Sequence, residues 1–270
     1  MEPPKRQRGR PKSFTDKSGE ARIQSLDRAL DVLECVAAGS GLTLTEIADD
    51  LGQSPATIYR ILTTFAARGA LEIYPATQEW FIGPSSFRIG SAFLRRSGMV
   101  ERARPIMRSL MVETGETANL GVENDDQVLF LSQVETHENI RAFFPPGARS
   151  PMHASGIGKA LLAHADTDRI ERYIRRKKLS RFTENTISDP DALRNELHRI
   201  KEQGYAFDDE EKSIGMRCVA VPVFNSFGET VAGLSISGPS ARLTLDRIAS
   251  VSVVVIAQAK VLSQNLGFEG

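Results

Sequence analysis

The chain has 270 residues, 41% hydrophobic and 25% charged, with 34 basic side chains against 34 acidic ones and so no formal net charge. These fractions are those of an ordinary soluble globular protein, and no apolar run approaches the roughly 20 residues that span a bilayer. The length suits two domains of roughly 100–200 residues, and the basic N-terminus lacks the apolar stretch of a signal peptide, so a cytoplasmic protein without membrane partners is expected.

Residues 1–21 have no apolar periodicity and are read as a disordered arm. Lys5, Arg6, Arg8, Arg10 and Lys12 face a single acid, Glu2, within the first twelve residues. Such an arm is either a solvated tail or an attractor of phosphate. Arg8-Gly9-Arg10-Pro11 is similar to the core of an AT-hook, in which arginines enter the narrow minor groove of A·T-rich DNA; unspecific attraction is the alternative.

Residues 22–85 read as a winged helix-turn-helix. From Ile23, apolar residues Leu26, Ala29, Leu30, Leu33 and Ala37 recur at helical spacing, and Gly39-Ser40-Gly41 ends the run. Thr43 with Glu46 has the spacing of a capping box, opening a short helix that Gly52 closes. Ser54-Pro55 opens the next helix, with Ser as N-cap and Pro at the first helical position. Its apolar face carries Ile58, Ile61, Leu62 and Phe65, and Gly69 ends it. Leu71–Tyr74 and Trp80–Ile82 follow as strands around a polar tip. A small helical packing domain could use the same turns.

In the DNA-binding reading, the third helix enters the major groove of double-stranded DNA, with Gln53, Ser54, Ala56, Thr57, Tyr59 and Arg60 near bases or phosphates. Arg60 and Arg68 are its charges, and no acid lies between Gln53 and Leu71. Ordinary solvent exposure explains each of these residues equally well when taken singly.

Residues 86–113 are expected to be helical and to contain the domain connection, and residues 114–270 to form an α+β effector domain with an antiparallel sheet. Val128–Val134 and Ile140–Phe144 read as strands. Helices are expected from Lys159 to Ala163, Asp166 to Arg176 and Pro190 to Gln203. Val219–Phe224 and Val231–Ser237 read as an antiparallel pair, and Leu245–Leu266 as a long last helix.

Two features of this second half suggest a ligand. Ser155-Gly156-Ile157-Gly158 leads into a helix, where free N–H groups and the helix dipole favour an anion. Ser235 and Ser237 stand two apart on one strand, so their hydroxyls share a face. They bond either to neighbouring backbone or to a small carboxylate.

Four stretches together resemble the IclR family of bacterial regulators over about residues 23–268. Residues 25–33 (SLDRALDVL) are similar to its first helix and 54–62 (SPATIYRIL) to its recognition helix; 152–160 (MHASGIGKA) and 234–239 (LSISGP) match segments of its second domain. The arm before Arg22 is not part of that pattern. The resemblance implies a GAF-like effector domain, a homodimer built partly through the DNA-binding domains, and commonly a dimer of dimers. It implies a ligand seated on the backbone of Gly156 and Ile157 after Ser155, with Asp208, Cys218, Ser235 and Ser237 completing the site. Glyoxylate is the first candidate, pyruvate or another small 2-oxo acid the second, an aromatic ring-cleavage acid the third. The bulk of Ile157 is expected to narrow the pocket. Ligand either releases DNA or recruits RNA polymerase.

An enzyme using Cys218 and His153 is the remote rival, although no catalytic segment surrounds either residue. Gly156-Ile157-Gly158-Lys159 lacks the spacing of a phosphate loop. A metal held by Asp208, Cys218 and a histidine is a further alternative. Cys35 and Cys218 stand far apart and outside any CxxC or CxxH pair, so no disulfide, zinc site or cofactor is expected.

Overall fold

The computed structural model describes residues 23–95 and 98–269. The Arg8 and Arg10 assignments lie outside the described residues. The chain divides between Ala92 and Phe93 into two compact units.

The first unit contains α1 (Gln24–Ala38), β1 (Leu42–Thr43), α2 (Leu44–Asp50), α3 (Pro55–Ala67), β2 (Leu71–Tyr74) and β3 (Glu79–Ile82), and α4 (Pro84–Arg95) begins in it. The helix starts follow local chemistry. Thr43 Oγ1 accepts from Glu46 N–H at 3.4 Å while a Glu46 carboxylate oxygen accepts from Thr43 N–H at 2.8 Å, a reciprocal capping box. Ser54 Oγ accepts from Thr57 N–H, and Pro55 fills the first turn of α3. Gly52, between the two helices, has φ +59°, a left-handed turn that side chains rarely adopt. Ile47, Ile58 and Leu62 are fully buried against Val32, Val36, Leu71 and Trp80. Each such burial is worth about 1.5–3 kcal/mol. The strands form an antiparallel wing in the order β1-β3-β2. The two-residue β1, too short for a periodic signal, was not anticipated.

Residues 86–113 fall into two helices. After α4, α5 (Met99–Thr114) follows Gly98, which has φ +59°. Ala103, Met107 and Leu110 of α5 are buried in the core of the second unit.

That unit is built on a six-stranded antiparallel sheet in the order β6-β5-β4-β9-β8-β7. Its strands are β4 (Thr117–Asn124), β5 (Gln127–Val134), β6 (Arg149–Pro151), β7 (Ala206–Asp209), β8 (Met216–Phe224) and β9 (Thr230–Pro239). One face packs against α5 and α9 (Leu245–Asn265) through Leu120, Val219, Leu234, Ile236 and Val255. The other carries α6 (Gly156–Ala163) and α8 (Pro190–Gln203), with α7 (Thr167–Arg176) contributing Tyr173 to the same core. Alternation along β9 sends Leu234 and Ile236 to the first face and Ser235 and Ser237 to the second.

Ile140–Phe144 is not a strand. It is an extended loop outside the sheet, in which the Phe144 ring stacks on Phe130 with centroids 4.7 Å apart and Ala142 is buried, while Ile140 and Phe143 are exposed. The helix expected from Lys159 starts three residues earlier, at Gly156.

Candidate functional site

On the α6 face of the sheet lies a cavity of about 290 Å³. Ser155, Gly156, Ile157, Asp208, Cys218, Ser235 and Ser237 all line it. They come from four segments, the start of α6 and the strands β7, β8 and β9, and the strand register joins the last three. Asp208 on β7 is opposite Cys218 on β8, which is opposite Ser237 on β9, so three functional side chains form one row across the sheet. Ser235 is the next inward-facing residue, opposite Ala220.

Ser155 is the N-cap of α6, its Oγ accepting from Gly158 N–H at 3.5 Å. The N–H groups of Gly156 and Ile157 belong to the first turn of α6, whose N–H groups have no acceptor within the helix. Close packing holds this end against the sheet. A Cβ on Gly156 would stand 2.8 Å from Cys218 Sγ, and one on Gly158 would stand 2.3 Å from the Met152 backbone. Ile157, whose bulk is expected to narrow the cavity, is one of its lining residues. It is 1% exposed and interlocks with the sheet, where Cβ atoms at Gly233 and Gly121 would meet it at 2.6 and 3.3 Å.

The serine hydroxyls are oriented from behind by Asn119 on β4, a buried residue not singled out from the sequence. Asn119 Nδ2 donates to Ser235 Oγ at 3.4 Å and Ser237 Oγ at 3.2 Å, while its Oδ1 accepts from Gln133 Nε2 at 3.0 Å. The amide engages one lone pair on each serine, and the hydroxyls, which also hydrogen-bond the Cys218 side chain, are donors at the cavity wall. Asn119 is readable as a site residue only after its pairing with Ser235 is known.

Eight further wall residues are not singled out by the sequence, among them Phe130, Phe143, Phe144 and Lys212. The rings give the cavity an apolar side. Lys212 comes from the turn between β7 and β8, where Glu210 has φ +59° and Asp208 Oδ1 accepts from Glu211 N–H at 2.9 Å. Burial pushes the Lys212 ammonium down in pKa, and Asp208 pulls it back up. Burial raises Asp208 to about 6, against the pull of Lys159.

Lys159 lies fully buried beneath this turn. Its Nζ donates to Phe207 O at 2.6 Å, to Glu196 Oε1 at 3.3 Å and to Glu211 Oε1. Burial alone would lower its pKa, but Glu211 and Glu196 outweigh it and hold the ammonium charged. Burial raises Glu211 to about 7, even beside Lys159. This ion cluster fixes the turn that carries Asp208 and Lys212, and does not line the cavity.

The geometry opposes the catalytic rival. Cys218 is pushed up to about 12 by burial and by Asp208, so it stays a thiol at neutral pH. His153 does not line the cavity. Its Nδ1 is 3.0 Å from the Tyr173 hydroxyl and its Nε2 3.0 Å from Ser180 O, which leaves neither nitrogen for a nucleophile. Among the described residues no group of three His, Cys, Asp or Glu side chains could hold a metal.

In the first unit, Ser54, Ala56, Tyr59 and Arg60 of the α2–α3 motif are exposed, while Gln53 and Thr57 are half-buried. Ser54 and Thr57 bond each other, Oγ to Oγ1 at 2.9 Å, so part of their hydrogen-bonding capacity goes to the helix cap. Thr57 and Arg60 also edge a groove between α1 and α3.

Comparison with known proteins agrees with this architecture. The pattern of the IclR helix-turn-helix domain matches residues 25–73, and that of the bacterial transcriptional regulator IclR C-terminal domain matches residues 91–264. The chain belongs to the IclR family. It is 55% identical over 261 residues to the HTH-type transcriptional regulator BhcR of Paracoccus denitrificans (strain Pd 1222), covering 96% of this chain and 94% of that one. It is 37% identical over 256 residues to the transcriptional repressor IclR of Escherichia coli (strain K12), covering 94% and 93%. Among solved structures, Thermotoga maritima IclR superposes with a TM-score of 0.77 at 28% identity, covering 92% of this chain and 100% of that one. An IclR homologue from Microbacterium hydrocarbonoxydans complexed with 4-hydroxybenzoate gives 0.80 at 26% identity, covering 90% and 98%. This IclR protein is therefore a DNA-binding transcriptional regulator with a C-terminal effector domain, and its relatives are regulators rather than enzymes. Among the described residues no helix is long and apolar enough to cross a membrane.

Proposed function

We propose that the cavity binds a small 2-oxo acid, glyoxylate before pyruvate, and that binding changes operator occupancy or promoter activity of a carbon-metabolism operon. The observation that carries this reading is the convergence of donors on one cavity: the first N–H groups of α6 and the hydroxyls of Ser235 and Ser237, aimed by Asn119. A carboxylate accepts from all of them and benefits from the helix dipole. Cys218 and the phenylalanines supply the apolar remainder. Asp208 accepts from a ligand hydroxyl, such as that of a hydrated aldehyde.

A second reading has its own support. Phe130, Phe143 and Phe144 line one side, about 290 Å³ exceeds the needs of a two-carbon acid, and one relative's structure holds 4-hydroxybenzoate. An aromatic carboxylate would seat its acid on the same donors and its ring on the phenylalanines.

In the same proposal Gln53, Ser54, Ala56, Thr57, Tyr59 and Arg60 meet DNA, and Arg8 and Arg10 reach its minor groove. The protein acts as a homodimer or dimer of dimers, with or without RNA polymerase contact. The strip of Ile23, Leu26 and Leu30 on α1, 65%, 57% and 47% exposed, supports self-association of the first unit. The experiment is a fluorescence-anisotropy titration of a promoter fragment with the protein, repeated in glyoxylate, pyruvate, 4-hydroxybenzoate and acetate. A selective change in affinity with one of the first three supports a ligand-responsive regulator and names its class. Identical curves in all four contradict it.

A further inference from the structure

The charged residues among those that line the cavity are Asp208 and Lys212. Their surroundings differ. Every acid in the run before Lys212 has a donor elsewhere. Asp208 Oδ1 takes Glu211 N–H, and Asp209 Oδ1 takes Arg217 Nε at 2.7 Å. Glu210 Oε2 takes Gly215 N–H at 2.6 Å, and Glu211 is bound to Lys159. Lys212 Nζ has only a neutral partner among the described residues, Ser150 Oγ at 3.3 Å, and no carboxylate lies within ion-pair distance of it. Ser150 is buried on β6 and lines the same cavity, so this contact fixes the ammonium at the cavity wall. An ammonium has three N–H donors, and one hydrogen bond to a hydroxyl leaves two unspent in a partly desolvated place.

We propose that Lys212 is an effector-binding residue whose ammonium pairs with the carboxylate of the bound acid and makes the cavity select an ionised ligand over a neutral one of the same shape. The inference rests on the effector reading above. It also resolves a difficulty in that reading: Asp208 alone would repel an anion, and a cation in the same wall offsets it. Peptide N–H groups and serine hydroxyls bind a carboxamide oxygen nearly as readily as a carboxylate. Discrimination by charge therefore falls to Lys212.

The test is calorimetric titration of the full chain with three acids, glyoxylate, pyruvate and 4-hydroxybenzoate, each beside its carboxamide. The proteins are the wild type, Lys212→Met and Lys212→Arg. A hydrogen-bonded charge pair corresponds to a loss of roughly 10- to 100-fold on truncation. The wild type is expected to prefer the acid to its amide. Lys212→Met is expected to lose roughly that factor for the acid while changing amide binding less than about threefold, and Lys212→Arg to retain most of the preference. Retained amide binding in Lys212→Met also shows that its pocket is folded. If the wild type binds an acid and Lys212→Met binds it equally well, the inference falls and the effector reading stands. If the wild type binds none of the three acids, both fall.

Discussion

Replacing Ser235 and Ser237 together by alanine separates the ligand's hydrogen bonds from those of the fold. Each hydroxyl is expected to donate to the effector's carboxylate, and a hydrogen bond to a charged group contributes about 1.5–3 kcal/mol. Losing both weakens binding by about a hundredfold or more. The same change strips Asn119 Nδ2 of both its acceptors. Asn119 is fully buried, so its stranded amide costs about 1–3 kcal/mol, a few degrees in Tm for a unit of this size. Ser235→Ala alone leaves Ser237 as acceptor and is expected to lower the Tm less. Adding Asn119→Leu to the double variant removes the stranded donor; it should recover Tm without recovering affinity. Calorimetry with glyoxylate and thermal melting read the two effects separately. A double variant that keeps its Tm and binds glyoxylate within about threefold of the wild type refutes both the serines' role and their orientation by Asn119.

Other consequences concern charge. Asp208 is held near 6, so it carries less negative charge as the pH falls from about 8 to about 5, while a 2-oxo acid stays ionised. Affinity for the acid should therefore rise over that window, and Asp208→Asn should flatten the profile; a wild-type profile that rises with pH contradicts this. Lys159→Met leaves Glu211 buried without its cation, while Glu196 keeps Arg199, and should cost about 3–5 kcal/mol in urea unfolding, part of it recovered by adding Glu211→Gln. An unchanged urea midpoint would show that the cluster does not stabilise the turn. If the arm binds phosphate through its five basic residues, deleting residues 1–12 should lower the slope of log affinity against log salt by up to roughly 4. An unchanged slope would make the arm a bystander. Arg60→Ala should weaken operator binding by about 1–3 kcal/mol, measured by anisotropy, if Arg60 reads a base.

What could be read from the sequence depended on how local the cause was. Thr43 with Glu46, and Ser54 with Pro55, announce helix starts because the bonds they make span three residues. The apolar run at Ile140–Phe144 has strand-like composition without a pairing partner: Phe144 is half-buried in a ring stack on Phe130, Ile140 and Phe143 are exposed, and no strand takes up the run's backbone. Ser235 and Ser237 are legible from their two-residue spacing, Asp208 and Cys218 only through family resemblance, whereas the row of Asp208, Cys218 and Ser237 across the sheet follows from register alone. Asn119 and Lys212 carried no signal of their own. Asn119 acts through a partner 116 residues away. Lys212 has the sequence context of a surface lysine in an acidic turn, and only the placement of Ser150 and the cavity wall beside it shows otherwise. The packing of Ile157 beside Gly121 and Gly233 has no local signal, and only the packed sheet reveals it.

The central claim is that the donors around Ser155, Ser235 and Ser237 form a seat for a small 2-oxo acid. Calorimetric titration of the full chain with glyoxylate, with acetate as the control, tests it most directly. Saturable binding of glyoxylate that acetate does not reproduce, and that is lost in Ser235→Ala/Ser237→Ala, is the predicted result. No heat of binding from glyoxylate, in a folded protein that still binds its promoter fragment, would contradict it.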